Sequence, residues 1–121
     1  MAKILVIDDD EHILRTPHQV LESEGHEVLD ATNGREGLNL FKKHGANLII
    51  TDIIMPEKEG IETIKELHEE NPELRIIAIS GGGSIDPRVH LHAAENLGAM
   101  RTLVKPFSRE DLLTAVRELL I

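Results

Sequence analysis

The feature that most constrains this chain is a fivefold alternation of short apolar runs with helical patterns. The runs are KILVI (3–7), EVLDA (27–31), NLIIT (47–51), RIIAIS (75–80) and RTLV (101–104). After them, apolar residues recur with a period near 3.6, the mark of a helix with one buried face. Leu38 and Phe41 mark the second such pattern, Ile61, Ile64 and Leu67 the third, and Leu112, Leu113, Val116, Leu119 and Leu120 the fifth. Gly25, Gly45 and Gly98 stand where helices should end, and Asn71-Pro72 closes the third. Asp86 and Pro87 suit the start of the fourth. Ser108 has Asp111 three residues on, the spacing of a capping box at the start of the fifth. No linker or low-complexity stretch interrupts the 121 residues, so residues 1–121 read as one domain.

Strict alternation of strand and helix implies a parallel sheet with helices on both faces and right-handed crossovers. The first, third and fourth runs are continuously apolar, as strands covered on both faces must be. The second carries Glu27 and Asp30 and the fifth is short, which suits the two edges. The expected fold is therefore α/β, a doubly wound five-stranded parallel sheet in the order 2-1-3-4-5. In that order the chain reverses direction between the first and third strands, and ligands bind beyond their carboxyl ends.

Asp8 and Asp9 follow the first strand there, and Asp52 follows the third. Locally, the acid run from Asp8 to Glu11 is compatible with nothing more than a helix start, since Asp caps well and acids suit the first turn. Bringing Asp52 beside it changes the balance. Like charges about 4 Å apart cost roughly 4 kcal/mol per pair at an effective dielectric near 20. A cation among them removes that cost, and hard oxygen ligands without His or Cys point to Mg²⁺.

Composition excludes several other classes. There is no Cys, hence no disulfide framework and no thiolate metal site. The apolar runs are too short to span a membrane, and MAKILVID lacks the plan of a signal peptide, so a cytoplasmic location is expected. Net charge is −9, from 22 acids against 13 bases, with no basic stripe, so these residues are not expected to bind nucleic acid directly. His90 and His92, two apart, would face different sides of a helix and show no metal-ligand spacing.

VIDDD at a first strand end, TDIIMP at a third, IAISG at a fourth and LVKPF after a fifth resemble the receiver domain of two-component response regulators, a CheY-like, flavodoxin-like (βα)₅ fold. The resemblance covers the whole chain. It implies that Asp52 is the phosphoacceptor and that Asp8 and Asp9 hold Mg²⁺ with Asp52 and the backbone carbonyl of Ile54. It also implies that Ser80 contacts the phosphoryl group, that Lys105 pairs with it, and that a cis bond precedes Pro106. The implied donor is a phosphohistidine on a sensor histidine kinase or phosphotransfer protein. The implied output is a protein-binding face made by the fourth helix, fifth strand and fifth helix. Such a domain catalyses its own phosphorylation as a switch and is not a turnover enzyme. Ionised Asp52 needs no base to attack, and a loose transition state asks mainly for positioning and charge neutralisation. Ser80 and backbone N–H groups of Gly81–Gly83 could then donate to the phosphoryl oxygens.

Three departures from the family pattern stand out. Thr102 occupies a position where the family often has an aromatic residue. Lys105 stands 25 positions after Ser80, a long separation, so the Gly81–Pro87 loop is expected to carry the switch. Pro17 falls inside the first helical pattern, where it costs about 3 kcal/mol, so a kink or break is expected near Thr16. A receiver-shaped module that no longer phosphorylates and binds proteins constitutively is the alternative, disfavoured by the presence of Asp8, Asp9, Asp52, Ser80 and Lys105 together. A flavin nucleotide binder is weaker still: only two Phe are available to stack, and three acids would repel a phosphate.

Overall fold

The computed structural model describes residues 2–9, 11–52, 60–80, 99–104 and 107–120. Strands β1 (Lys3–Ile7), β2 (Glu27–Ala31), β3 (Leu48–Asp52), β4 (Arg75–Ser80) and β5 (Arg101–Val104) form one parallel sheet in the order β2-β1-β3-β4-β5. The described helices are α1 (Glu11–Ser23), α2 (Gly34–His44), α3 (Gly60–Glu70) and a C-terminal helix, Arg109–Leu119. The pattern expected to begin at Asp86 and end at Gly98 lies outside the described residues.

Alternation along each strand divides the core in two, because successive side chains point to opposite faces. Ile4, Val6, Leu48, Ile50, Ile77 and Ile79 pack under α1 and the C-terminal helix, meeting Leu14, Leu21, Leu112 and Val116. Leu5, Ile7, Ile49, Ile76 and Ala78 face the other way, toward Leu38 of α2 and Ile64 and Leu67 of α3. β1 and β3 are buried along nearly their whole length, whereas Glu27 and Asp30 of β2 are exposed, as an edge strand allows.

The helix ends follow their local chemistry. Gly25 adopts φ 89°, and α1 closes with the His26 N–H on the Leu21 carbonyl at 3.2 Å and the Gly25 N–H on that of Glu22 at 2.9 Å. That paired pattern needs a left-handed residue after the helix, which glycine supplies without strain. Asn33 caps α2 by accepting the Glu36 N–H at 2.8 Å, and Ser108 with Asp111 forms the expected capping box.

Two expectations need correction. α1 is not broken near Thr16: it runs unbroken from Glu11 to Ser23 with Pro17 inside. Pro17 is buried in the inward stripe with Leu14, Val20 and Leu21, so packing holds a helix that the local cost of proline argues against. β3 is displaced by one residue from NLIIT, and Asp52 is its last member rather than the residue after it. Asn47 uses its side chain to accept the Lys3 N–H at 2.8 Å, standing in for a rung of the ladder, and Asp52 pairs with Ile79 of β4.

Candidate functional site

β1 and β3 pair in parallel with Ile7 opposite Thr51, so the next residues, Asp8 and Asp52, leave the ladder side by side. The Asp8 backbone N–H extends the β1–β2 ladder by one bond, to the Ala31 carbonyl at 3.0 Å. Asp52 is fixed from below, where the buried Thr51 hydroxyl donates to the Asp52 carbonyl at 3.0 Å. Ile7 is pinned too: Gly37 of α2 lies so close that a Cβ there would stand 2.8 Å from Ile7 Cγ1. The acids therefore emerge directly from a closely packed, fully buried stretch of the sheet.

Asp8, Asp9 and Asp52 each offer one carboxylate oxygen, and these lie within 4.8 Å of one another. Asp8 is 2% exposed and Asp52 5%, while Asp9 is open to solvent. Oxygens around Mg²⁺ at about 2.0–2.1 Å stand roughly 3 Å apart as neighbours and 4 Å apart across the ion, so small side-chain rotations suffice to ligate it. The donor set fits a hard divalent cation. Of the other expected site residues, Ser80 ends β4 one step beyond Ile79, the partner of Asp52, and is itself paired with Val104. The sheet thus brings Ser80 to the same end as the acids. Ile54, Gly81–Gly83, Lys105 and Pro106 lie outside the described residues, as do Asp86, Pro87, His90 and His92. Thr102 is half-buried opposite Ala78. The tight contact of Gly37 with Ile7 was not foreseen from the sequence, where a glycine inside a helical pattern only lowers expected helicity.

This geometry defines a doubly wound α/β protein whose described residues gather three carboxylates at its topological switch point. The chain belongs to the response regulator receiver domain family, whose model matches residues 4–117. It is 35% identical over 118 residues to the probable transcriptional regulator ycf27 of Porphyridium aerugineum, covering 98% of this chain and 48% of that protein. With the transcriptional regulatory protein CpxR of Klebsiella pneumoniae it shares 34% identity over 120 residues, covering 99% of this chain and 50% of that one. The chain spans about half the length of the curated relatives it matches. Among solved structures, a response regulator receiver domain protein from Clostridium thermocellum superposes with a TM-score of 0.89 at 34% identity, covering 98% of this chain and 94% of that one. A CheY-like receiver from Methanospirillum hungatei gives the same score and identity over 98% and 92%. Receiver domains act in two-component phosphorelays as signalling switches rather than turnover enzymes, engage histidine kinases, and bind Mg²⁺ at an acidic pocket.

Proposed function

We propose that this domain accepts a phosphoryl group on Asp52 from a phosphohistidine, with Mg²⁺ held by Asp8, Asp9, Asp52 and the Ile54 carbonyl. The observation that carries the reading is the convergence of three carboxylates on one point at the switch of a parallel sheet. In the transfer, an Asp52 oxygen forms the new P–O bond as the P–N bond to the donor imidazole breaks, and the imidazole keeps the electron pair and is protonated. Burial of Asp52 at the end of β3 keeps most water from its carboxylate, which favours positioning over solvation. When bound, Mg²⁺ supplies charge neutralisation to the phosphoryl oxygens. Lys105 would add a second positive charge, and Ser80 with the Gly81–Gly83 amides would donate hydrogen bonds.

The reading takes residues 1–121 as one receiver domain working in the cytoplasm, with the face of the fourth helix, fifth strand and fifth helix as its output. Among the described residues no helix is long and apolar enough to cross a membrane. The expectation of no nucleic acid concerns these residues alone. The ycf27 and CpxR relatives, named as transcriptional regulators, are about twice as long, so it does not extend to a longer protein.

Intact mass spectrometry after incubation with a small phosphodonor tests the proposal. The wild type should gain one phosphoryl group only when Mg²⁺ is present, and Asp52→Ala should gain none. Stoichiometric labelling of Asp52→Ala would assign the acceptor elsewhere. No labelling of either protein would favour a constitutive binding module.

A further inference from the structure

On the flank of the sheet, the His18 ring of α1 stands between two carboxylates. Nδ1 lies 2.8 Å from Asp30 Oδ2 of the edge strand β2, and Nε2 lies 3.1 Å from Glu22 Oε2, one turn along α1. Carboxylates only accept hydrogen bonds, and a neutral imidazole carries a single N–H. Both contacts can be hydrogen bonds only when both ring nitrogens are protonated. The two carboxylates approach opposite nitrogens, so no metal ion could be shared among the three groups. The arrangement is that of an imidazolium held by two acids.

We infer that His18 is a protonation-gated tether fastening α1 to the edge strand β2, complete as imidazolium and reduced to one hydrogen bond when neutral. β2 has a strand neighbour on one side only, so links from the covering helix matter more to it than to an inner strand. The ring opens on a surface groove of about 510 Å³ between α1 and the end of β2, through which solvent reaches it. Among the described residues, the charged groups facing that groove are Asp30 from β2 and Glu22 and Arg15 from α1. The C-terminal helix meets the end of α1 elsewhere, through Arg109 on Ser23 and Arg117 on Glu24.

Burial of the ring works against its charge, but hydrogen bonding to Asp30 together with the charges of Asp30 and Glu22 prevails and raises the His18 pKa above the ordinary 6.5. The folded protein thus holds this proton more tightly than the unfolded chain. The tether's contribution is complete below about 6.5 and is lost as pH rises through the folded-state value. The inference is independent of the phosphoacceptor reading, since none of these residues belongs to the acid cluster.

Site-resolved NMR titration of the His18 ring nitrogens tests it, with thermal melts from pH 6 to 9 as a second readout. At pH 6 both nitrogens should report protonation, with a midpoint above 6.5. Asp30→Asn should bring the midpoint down, and Glu22→Gln should do so less, because Glu22 is the more exposed partner. In melts, the wild type should lose stability across this range and His18→Gln should flatten the slope. A wild-type midpoint at or below 6.5, or an unchanged melting slope in His18→Gln, would overturn the tether.

Discussion

Gly37→Ala tests how the fold delivers its acids. Alanine is the better helix former by about 0.8–1.0 kcal/mol, so on propensity alone the change should stabilise α2. The structure gives the opposite sign. The new Cβ would overlap Ile7 Cδ1 outright and stand 2.8 Å from Cγ1, and Ile7 is 1% exposed, enclosed by the core between the sheet and α2 and α3. Overpacking of this kind costs about 1–3 kcal/mol, and a β-branched side chain with two atoms in the way has few rotamers that avoid it. Near the top of that range, less the propensity gain, the net loss is about 1–2 kcal/mol. For a domain of this size that lowers Tm by roughly 4–8 °C. Urea denaturation gives the free energy directly, provided the m-value is unchanged. Ile7→Val removes Cδ1 and alone should cost about 0.5–1.5 kcal/mol. Combined with Gly37→Ala it should cost less than the sum by about 1 kcal/mol, since each change relieves the other. Strict additivity, or a Gly37→Ala protein more stable than wild type, would refute the argument.

Three further outcomes are expected. Mg²⁺ should raise Tm at constant ionic strength, by an amount equivalent to about 2.7 kcal/mol at a hundredfold excess over Kd, and Asp9→Ala should shrink the shift; equal effects of Mg²⁺ and a matched monovalent salt would count against the site. Asp8→Asn should change sign with conditions, because it removes one of three crowded charges: more stable than wild type in chelator and less stable in saturating Mg²⁺, both read by thermal melts. Ser108→Ala breaks the capping box of the C-terminal helix and should cost about 1 kcal/mol in urea denaturation while leaving Mg²⁺ binding untouched.

Much of this molecule is legible from local pattern because burial on one or both faces is written into each element's own residues. The stretches Ile4–Ile7 and Ile76–Ile79 are apolar at every position because both sheet faces are covered, and that signal needs no knowledge of partners. Exposed Glu27 and Asp30 marked the edge strand for the converse reason. Once the order β2-β1-β3-β4-β5 followed, the meeting of Asp8, Asp9 and Asp52 was a matter of topology. Parallel strands all end at the same side of a sheet, and adjacent β1 and β3 must set their next residues side by side. The one-residue displacement of β3 was not legible because it turns on the Asn47 side chain replacing a rung, a choice visible only when Lys3 stands opposite.

The features that escaped the sequence share one property: each is set by a distance between elements rather than by a pattern within one. Pro17 reads locally as a break because its cost is local, whereas the burial that keeps α1 intact comes from packing with Leu14, Val20 and Leu21 on the inner stripe. Gly37 reads locally as a weakness, yet it allows α2 to approach Ile7, and Ile7 immediately precedes Asp8. His18 reads as one histidine among seven until β2 brings Asp30 to one nitrogen while the helix brings Glu22 to the other. Pattern within an element shows where the acids emerge. The distances between elements determine how rigidly they are held there, and the proposed in-line attack of Asp52 on phosphorus would depend on the second as much as on the first.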